Sequence, residues 1–97
     1  MYATALAADN ALVKSLFQEL APFNIQLNAI PSNYIENPTY YPPEFRANEK
    51  GMTKMLSNIP ARSHGKPEEV AETIAFFASD KCSYFNRQVI LISGGWA

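Results

Sequence analysis

The chain has 97 residues, a formal net charge of −1, 47% hydrophobic residues and one cysteine. That length holds at most one small domain, and the near-neutral balance gives no electrostatic footprint for nucleic acid or an anionic membrane. A lone cysteine excludes an internal disulfide, one His beside it argues against a structural zinc site, and neither a signal peptide nor an apolar run of the ~18 residues that span a bilayer is visible, so the chain reads as cytoplasmic.

Residues 3–21 are rich in Ala and Leu, contain no Gly or Pro, and carry Leu6, Leu12, Val13, Leu16, Phe17 and Leu20 at helical spacing. This predicts a helix that Pro22 stops. The stripe reads as packing, and Ala3, Ala5, Ala7, Ala8 and Ala11 leave a smooth surface on which another helix can lie close. Residues 24–30, "NIQLNAI", alternate in part and predict a strand. The next stretch, "PSNYIENPTYYPP", is too rich in proline for a helix or a central strand. It is a long loop, and long loops in compact domains are often functional. Its Tyr34, Tyr40 and Tyr41 fit a pocket wall or a packed loop equally well.

Residues 44–58 predict one or two short helices around Phe45, Met52, Met55 and Leu56, weakened by Gly51. "PARSHGK", residues 60–66, is a turn-rich link in which His64 reads as a solvated residue. Pro67 suits the first turn of a helix, and Glu68 and Glu69 suit its positive end better than they suit an acid/base pair. Val70, Ala71, Ile74, Phe77 and Ala78 share one face of that helix, which is expected over 67–80. Cys82 has no His near it in sequence and gives no sign of a nucleophile. "QVILIS", residues 88–93, is a continuous apolar run of the kind that a parallel sheet covers on both faces. Gly94 and Gly95 end it, and Trp96 reads as an interface or core anchor before a ligand contact.

Strand, crossover helix and strand make a right-handed βαβ unit. A strand such as 88–93 calls for neighbours on both sides. The four glycines, Gly51, Gly65, Gly94 and Gly95, form no phosphate-cradling turn. The patterns favour the back part of a doubly wound α/β fold over a self-contained small one. The expected architecture is a single partial Rossmann-like domain over 1–97, with two parallel strands and three to four helices.

The stretch "GKPEEVAETIAFFASDKCSYFNRQVILISGGW" resembles the C-terminal segment of the short-chain dehydrogenase/reductases. Gly65, Pro67, Glu68, Glu69, Val70 and Ala71 fit that family's G-x-P-E-E-V/I-A. Phe76, Phe77, Ala78, Ser79 and Asp80 fit F-L-A-S-D, and Ser83, Gln88, Gly94 and Gly95 fit the final segment. Upstream, "IQLNAI" resembles the V-x-V-N-A-I strand, and Tyr2 falls at the place of the family's catalytic Tyr. One branch is more similar still. "NYIENPTYYPP" and the "GGWA" end look like halohydrin dehalogenases, relatives that use no nicotinamide. That likeness implies a halide and substrate pocket lined by Ser32, Asn33, Tyr34, Ile35 and Asn37.

The departures are specific. Ser32 and Asn33 stand at the dehydrogenases' Pro-Gly, and Asn37 stands at the Thr that grips the nicotinamide amide. Thr-Gly-Gln has become Asn86-Arg87-Gln88, and Ser93 replaces the Asp before Gly-Gly. Leu6 stands where the family has Lys or Arg. A phenol with an ordinary pKa near ~10 needs a cation close by to act as a base at neutral pH, and a residue four positions on in a helix supplies one. Leu6 does not. The family's Ser, about a dozen residues before the Tyr, lies outside these 97 residues.

The resemblance therefore implies a dehalogenase-like parent reaction, from vicinal haloalcohol to epoxide plus halide, and a chain that is inactive alone. The alternatives are an NAD(P)-dependent oxidoreductase of alcohols or ketones and a non-catalytic oligomerisation module. No cofactor is expected for this chain, or NAD(P) under the oxidoreductase alternative. The expected partners are further copies of the chain, through the 3–21 helix, the 67–80 helix and the 88–93 strand. A small-molecule substrate joins them if the site is completed, and neither nucleic acid nor membrane is expected.

Overall fold

The computed structural model describes residues 2–96, the side chain of Tyr2 excepted. Among the described residues four α-helices follow one another: α1 (Tyr2–Leu20), α2 (Pro43–Arg46), α3 (Glu49–Ser57) and α4 (Pro67–Phe77). Short 3-10 turns lie at Ala21–Phe23 and Asp80–Cys82. The residues group into two compact units, Met1–Pro31 with Thr73–Leu91 and Ser32–Glu72 with Ile92–Ala97. Among the described helices none is long and apolar enough to cross a membrane.

In the first unit, α1 ends as its composition demands. Pro22 tightens the chain into the 3-10 turn, and Asn24 takes the left-handed conformation at φ 59°. Its N–H donates to the Ala21 carbonyl at 3.0 Å. Val13 is the one residue of the expected apolar stripe that is buried, whereas Leu6 and Leu12 are exposed. The Arg87 guanidinium lies 4.8 Å from the centre of the Phe17 ring, a cation–π contact.

The chain then pairs with the segment after α4. Ala29 and Val89 form a parallel bridge. The Ala29 N–H donates to the Gln88 carbonyl at 2.8 Å, and the Ile90 N–H to the Ala29 carbonyl at 2.9 Å. Side-chain amides take over before that bridge. Asn86 Oδ1 accepts from the Leu27 N–H at 2.9 Å, and Asn28 Oδ1 accepts from the Gln88 N–H at 3.0 Å. Gln26 Nε2 donates to the Phe85 carbonyl at 2.7 Å and also to the Cys82 carbonyl. The strands expected over 24–30 and 88–93 are thus present only as parallel bridges, Ala29–Val89 in this unit and Ser32–Ile92 in the other. The orientation is the expected one. A longer ladder does not form: before the bridge, amide side chains occupy the Leu27 and Gln88 N–H groups that it would use, and after the bridge Pro31 has no N–H to donate.

Helix α4 stops at Phe77, short of the expected end at 80. The Ser79 hydroxyl donates to the Phe76 carbonyl at 2.6 Å and accepts from the Lys81 N–H at 3.3 Å, which converts the last turn to 3-10. Phe77 packs edge-on against Phe85, with centroids 5.3 Å apart, while Ile74 and Phe76 stay exposed. Cys82 is buried.

In the second unit, the 44–58 region forms two helices, α2 opening on Pro43 and α3 capped by Asn48, whose Oδ1 accepts from the Gly51 N–H at 3.1 Å. At the start of α4, Glu69 Oε2 accepts from the Lys66 N–H at 2.7 Å, a capping arrangement. Ile59 is fully buried, at 0% exposure. It sits under Gly94, which adopts φ 63° and whose carbonyl accepts from the Ala61 N–H at 2.9 Å.

Candidate functional site

The turn at 32–37 belongs to the second unit, and its geometry follows from two pairings. The Asn33 N–H donates to the Ile92 carbonyl at 3.0 Å, beside the Ser32–Ile92 bridge. The Gly65 N–H donates to the Tyr34 carbonyl at 3.0 Å, and the Glu36 N–H to the Gly65 carbonyl at 2.9 Å, which makes the Ile35–Gly65 parallel bridge. A Cβ at position 65 would meet Ile35 Cδ1 at 2.7 Å, so any larger residue there would push the end of the Ile35 side chain aside. Between the two pairings Tyr34 is forced to φ 56°. The Asn33 side chain supports it, with Oδ1 accepting from the Tyr34 N–H at 2.9 Å. Asn37 Oδ1 accepts from the Thr39 N–H at 2.7 Å, and the Asn37 carbonyl accepts from the Tyr41 N–H at 2.8 Å, so Asn37 folds the following turn.

Ser32, Asn33, Tyr34, Ile35 and Asn37 are therefore one continuous turn. Leu6 is an exposed residue of α1 in the first unit, and the side chain of Tyr2 lies outside the described residues.

Aromatic rings gather on this turn. Tyr34 meets Trp96 edge to face, with centroids 5.7 Å apart and planes at 79°. Tyr41 lies over His64 at 4.5 Å with a 31° tilt, and also touches Phe45 at 6.2 Å. Burial, and secondly the nearby Tyr34 phenol, raise the Tyr41 pKa above the ordinary value, so Tyr41 is a neutral donor at physiological pH. His64 corrects the sequence reading. It is not a solvated turn residue but partly buried, and its Nε2 is fully covered with no hydrogen-bond partner among the described residues. Its polar neighbours Ser63 and Lys66 gave no hint of this, because the covering ring comes from a distant loop. Trp96, read as an interface or core anchor, has Tyr34 as its ring partner, which the sequence did not name. Among the described residues no group of three or more His, Cys, Asp or Glu could hold a metal ion.

Residues 1–97 match the family profile described as enoyl-(acyl carrier protein) reductase. The 3-oxoacyl-[acyl-carrier-protein] reductase FabG of Thermotoga maritima is 43% identical over 94 residues, which are 97% of this chain and 37% of that protein. A solved structure titled "Dehalogenation enzyme" is 45% identical with a TM-score of 0.90, covering 99% of this chain and 39% of that one. A 4-hydroxyisoleucine dehydrogenase complexed with NADH is 25% identical with a TM-score of 0.88, over 99% of this chain and 39% of its own. The chain thus spans well under half the length of each.

Proposed function

Because the chain belongs to the enoyl-(acyl carrier protein) reductase family of short-chain dehydrogenase/reductases, we propose that it supplies the pocket side of a dehalogenase acting on vicinal haloalcohols. The observation that carries this reading is the likeness to the dehalogenation enzyme, 45% identical over 99% of the chain. The aromatic turn at 32–41 supports it. In the proposed reaction the Tyr2 phenolate takes the proton of the substrate hydroxyl. The alkoxide oxygen then forms a bond to the neighbouring carbon, the carbon–halogen bond breaks, and halide leaves with the electron pair. Neither oxidant nor reductant is needed. Ser32, Asn33, Tyr34, Ile35 and Asn37 form the halide side, where rings and Ile35 exclude water and polar groups face the anion. Leu6 gives Tyr2 no positive field, so the chain alone is inactive. The parallel bridges support placing 24–30 and 88–93 side by side in a doubly wound sheet, with 1–97 as part of a single Rossmann-like domain.

A second reading is an NAD(P)-dependent oxidoreductase. It is favoured by the reductase family match and the 43% identity to the Thermotoga reductase. Under either reading, self-association through the 3–21 helix, the 67–80 helix and the 88–93 segment fits the exposure of Leu6, Leu12, Ile74, Phe76 and Leu91.

The test is a graft in which this chain replaces the matching 39% of the dehalogenation enzyme. Halide release from a small chloroalcohol is followed between about pH 6 and 10. Leu6→Arg is expected to raise the rate by about 10²–10⁴-fold, the usual weight of general acid–base catalysis, and Tyr2→Phe in that background to remove the gain. Ketone-dependent NADH consumption without halide release would turn the reading to the oxidoreductase.

A further inference from the structure

We propose that His64 is a ligand-binding residue, whose covered Nε2 hydrogen-bonds the hydroxyl of a small alcohol bearing an aryl group. This deepens the dehalogenase reading, on which the choice of an alcohol rests.

Buried polar atoms in folded proteins nearly all have a partner, and an unpaired one needs a cause. His64 Nε2 has none among the described residues. A hydroxyl is the group best suited to it. It both donates and accepts, so it satisfies either tautomer of the ring, whereas a halide or a carbonyl only accepts. The surroundings select the rest of the ligand. Tyr41 lies across the imidazole at 4.5 Å and leans on Phe45 at 6.2 Å, so the wall beside the nitrogen is aromatic. The Tyr41 N–H donates to the Asn37 carbonyl at 2.8 Å within a proline-flanked turn, and entry of a flat ligand beside the imidazole requires the Tyr41 side chain to turn aside. The ion pair of this unit, Arg46 with Glu36 at 3.9 Å, is solvent-facing, with side chains 44% and 42% exposed, and gives a charged ligand no buried anchor. Burial keeps the Tyr41 phenol protonated, so the wall is uncharged.

The chain has one His and one Trp, so a single imidazole resonance and the tryptophan fluorescence report the two sides of the turn without assignment. The 97-residue chain is titrated with benzyl alcohol, with toluene, and separately with sodium bromide. Benzyl alcohol is expected to shift the His64 resonance saturably and to bind roughly tenfold more tightly than toluene, the weight of one hydrogen bond. His64→Phe keeps a ring against Tyr41 and removes the nitrogen. It is expected to equalise the two affinities with the circular dichroism unchanged. Equal binding by the parent, no binding of benzyl alcohol, an unmoved His64 resonance at saturation, or a preference that survives His64→Phe overturns the proposal. Bromide separates this from the dehalogenase reading. A saturable bromide response at Trp96 with no alcohol preference removes His64 and keeps the halide site. An alcohol preference without any bromide response does the reverse.

Discussion

Replacing Gly94 with alanine puts a methyl group where the second unit has no room for it. Gly94 sits at φ 63°, where an L-residue costs roughly 1–2 kcal/mol. The new Cβ would lie 2.8 Å from Ile59 Cγ2 and 3.2 Å from Ala61 Cβ. Ile59 is 0% exposed and cannot swing into solvent, so the clash falls on packed atoms, at about 1–3 kcal/mol. The sum, about 2–5 kcal/mol, is a large part of the ~5–15 kcal/mol that a domain has in total. Urea unfolding followed by Trp96 fluorescence reads it directly, since Trp96 lies two residues away on the same turn. Gly51→Ala is the control. Its Cβ would meet only the exposed Asn48 side chain, at 3.1 Å, and helix propensity favours alanine there by up to about 1 kcal/mol. If the two variants unfold at the same urea concentration, Ile59 does not hold the 93–96 turn.

The Tyr41 phenol has its pKa raised above 10.0 by burial, so the folded chain holds that proton more tightly than the unfolded one. Its contribution is complete below the ordinary phenol value and is lost as pH rises through the higher one, so unfolding midpoints should fall above about pH 10. Tyr41→Phe should flatten that fall, and an unchanged slope would show that another group titrates. Self-association should appear in sedimentation as concentration-dependent mass, and Leu12→Lys with Ile74→Lys should reduce it; a clean monomer at high concentration would remove the oligomer reading. Calorimetry should detect no saturable NAD(P) binding by this chain at micromolar concentration, and binding there would favour the oxidoreductase.

Helix positions were legible because Ala and Leu at helical spacing and Pro67 act locally, whereas α2 opens on Pro43, inside the stretch read as loop. The end of α4 was not, since Ser79 has two uses in sequence, helix residue or cap, and only the hydrogen bond to Phe76 decides. The parallel orientation of 24–30 and 88–93 followed from pattern and topology. Their reduction to bridges did not, because Asn28 and Asn86 look like ordinary solvent-facing residues until they meet across the pair. The Ser32–Asn37 stretch is contiguous in sequence, so its folding as one turn needs no long-range signal. His64 was misplaced because it is covered beside a ring far away in sequence, Tyr41, and a single chain carries no signal of that kind.

The amide contacts of Gln26, Asn28 and Asn86 also act as a key for alignment. Backbone pairing alone tolerates a slip by two residues, since it leaves side chains on the same faces. Here such a slip would strand three side-chain amides at once and leave the Leu27 and Gln88 N–H groups without acceptors. The segment 82–88 is thus locked to 26–28 by residue identity as well as by shape. These amides should open together, so that Leu27 and Gln88 exchange their hydrogens at one shared rate, slower than the exposed helices around them.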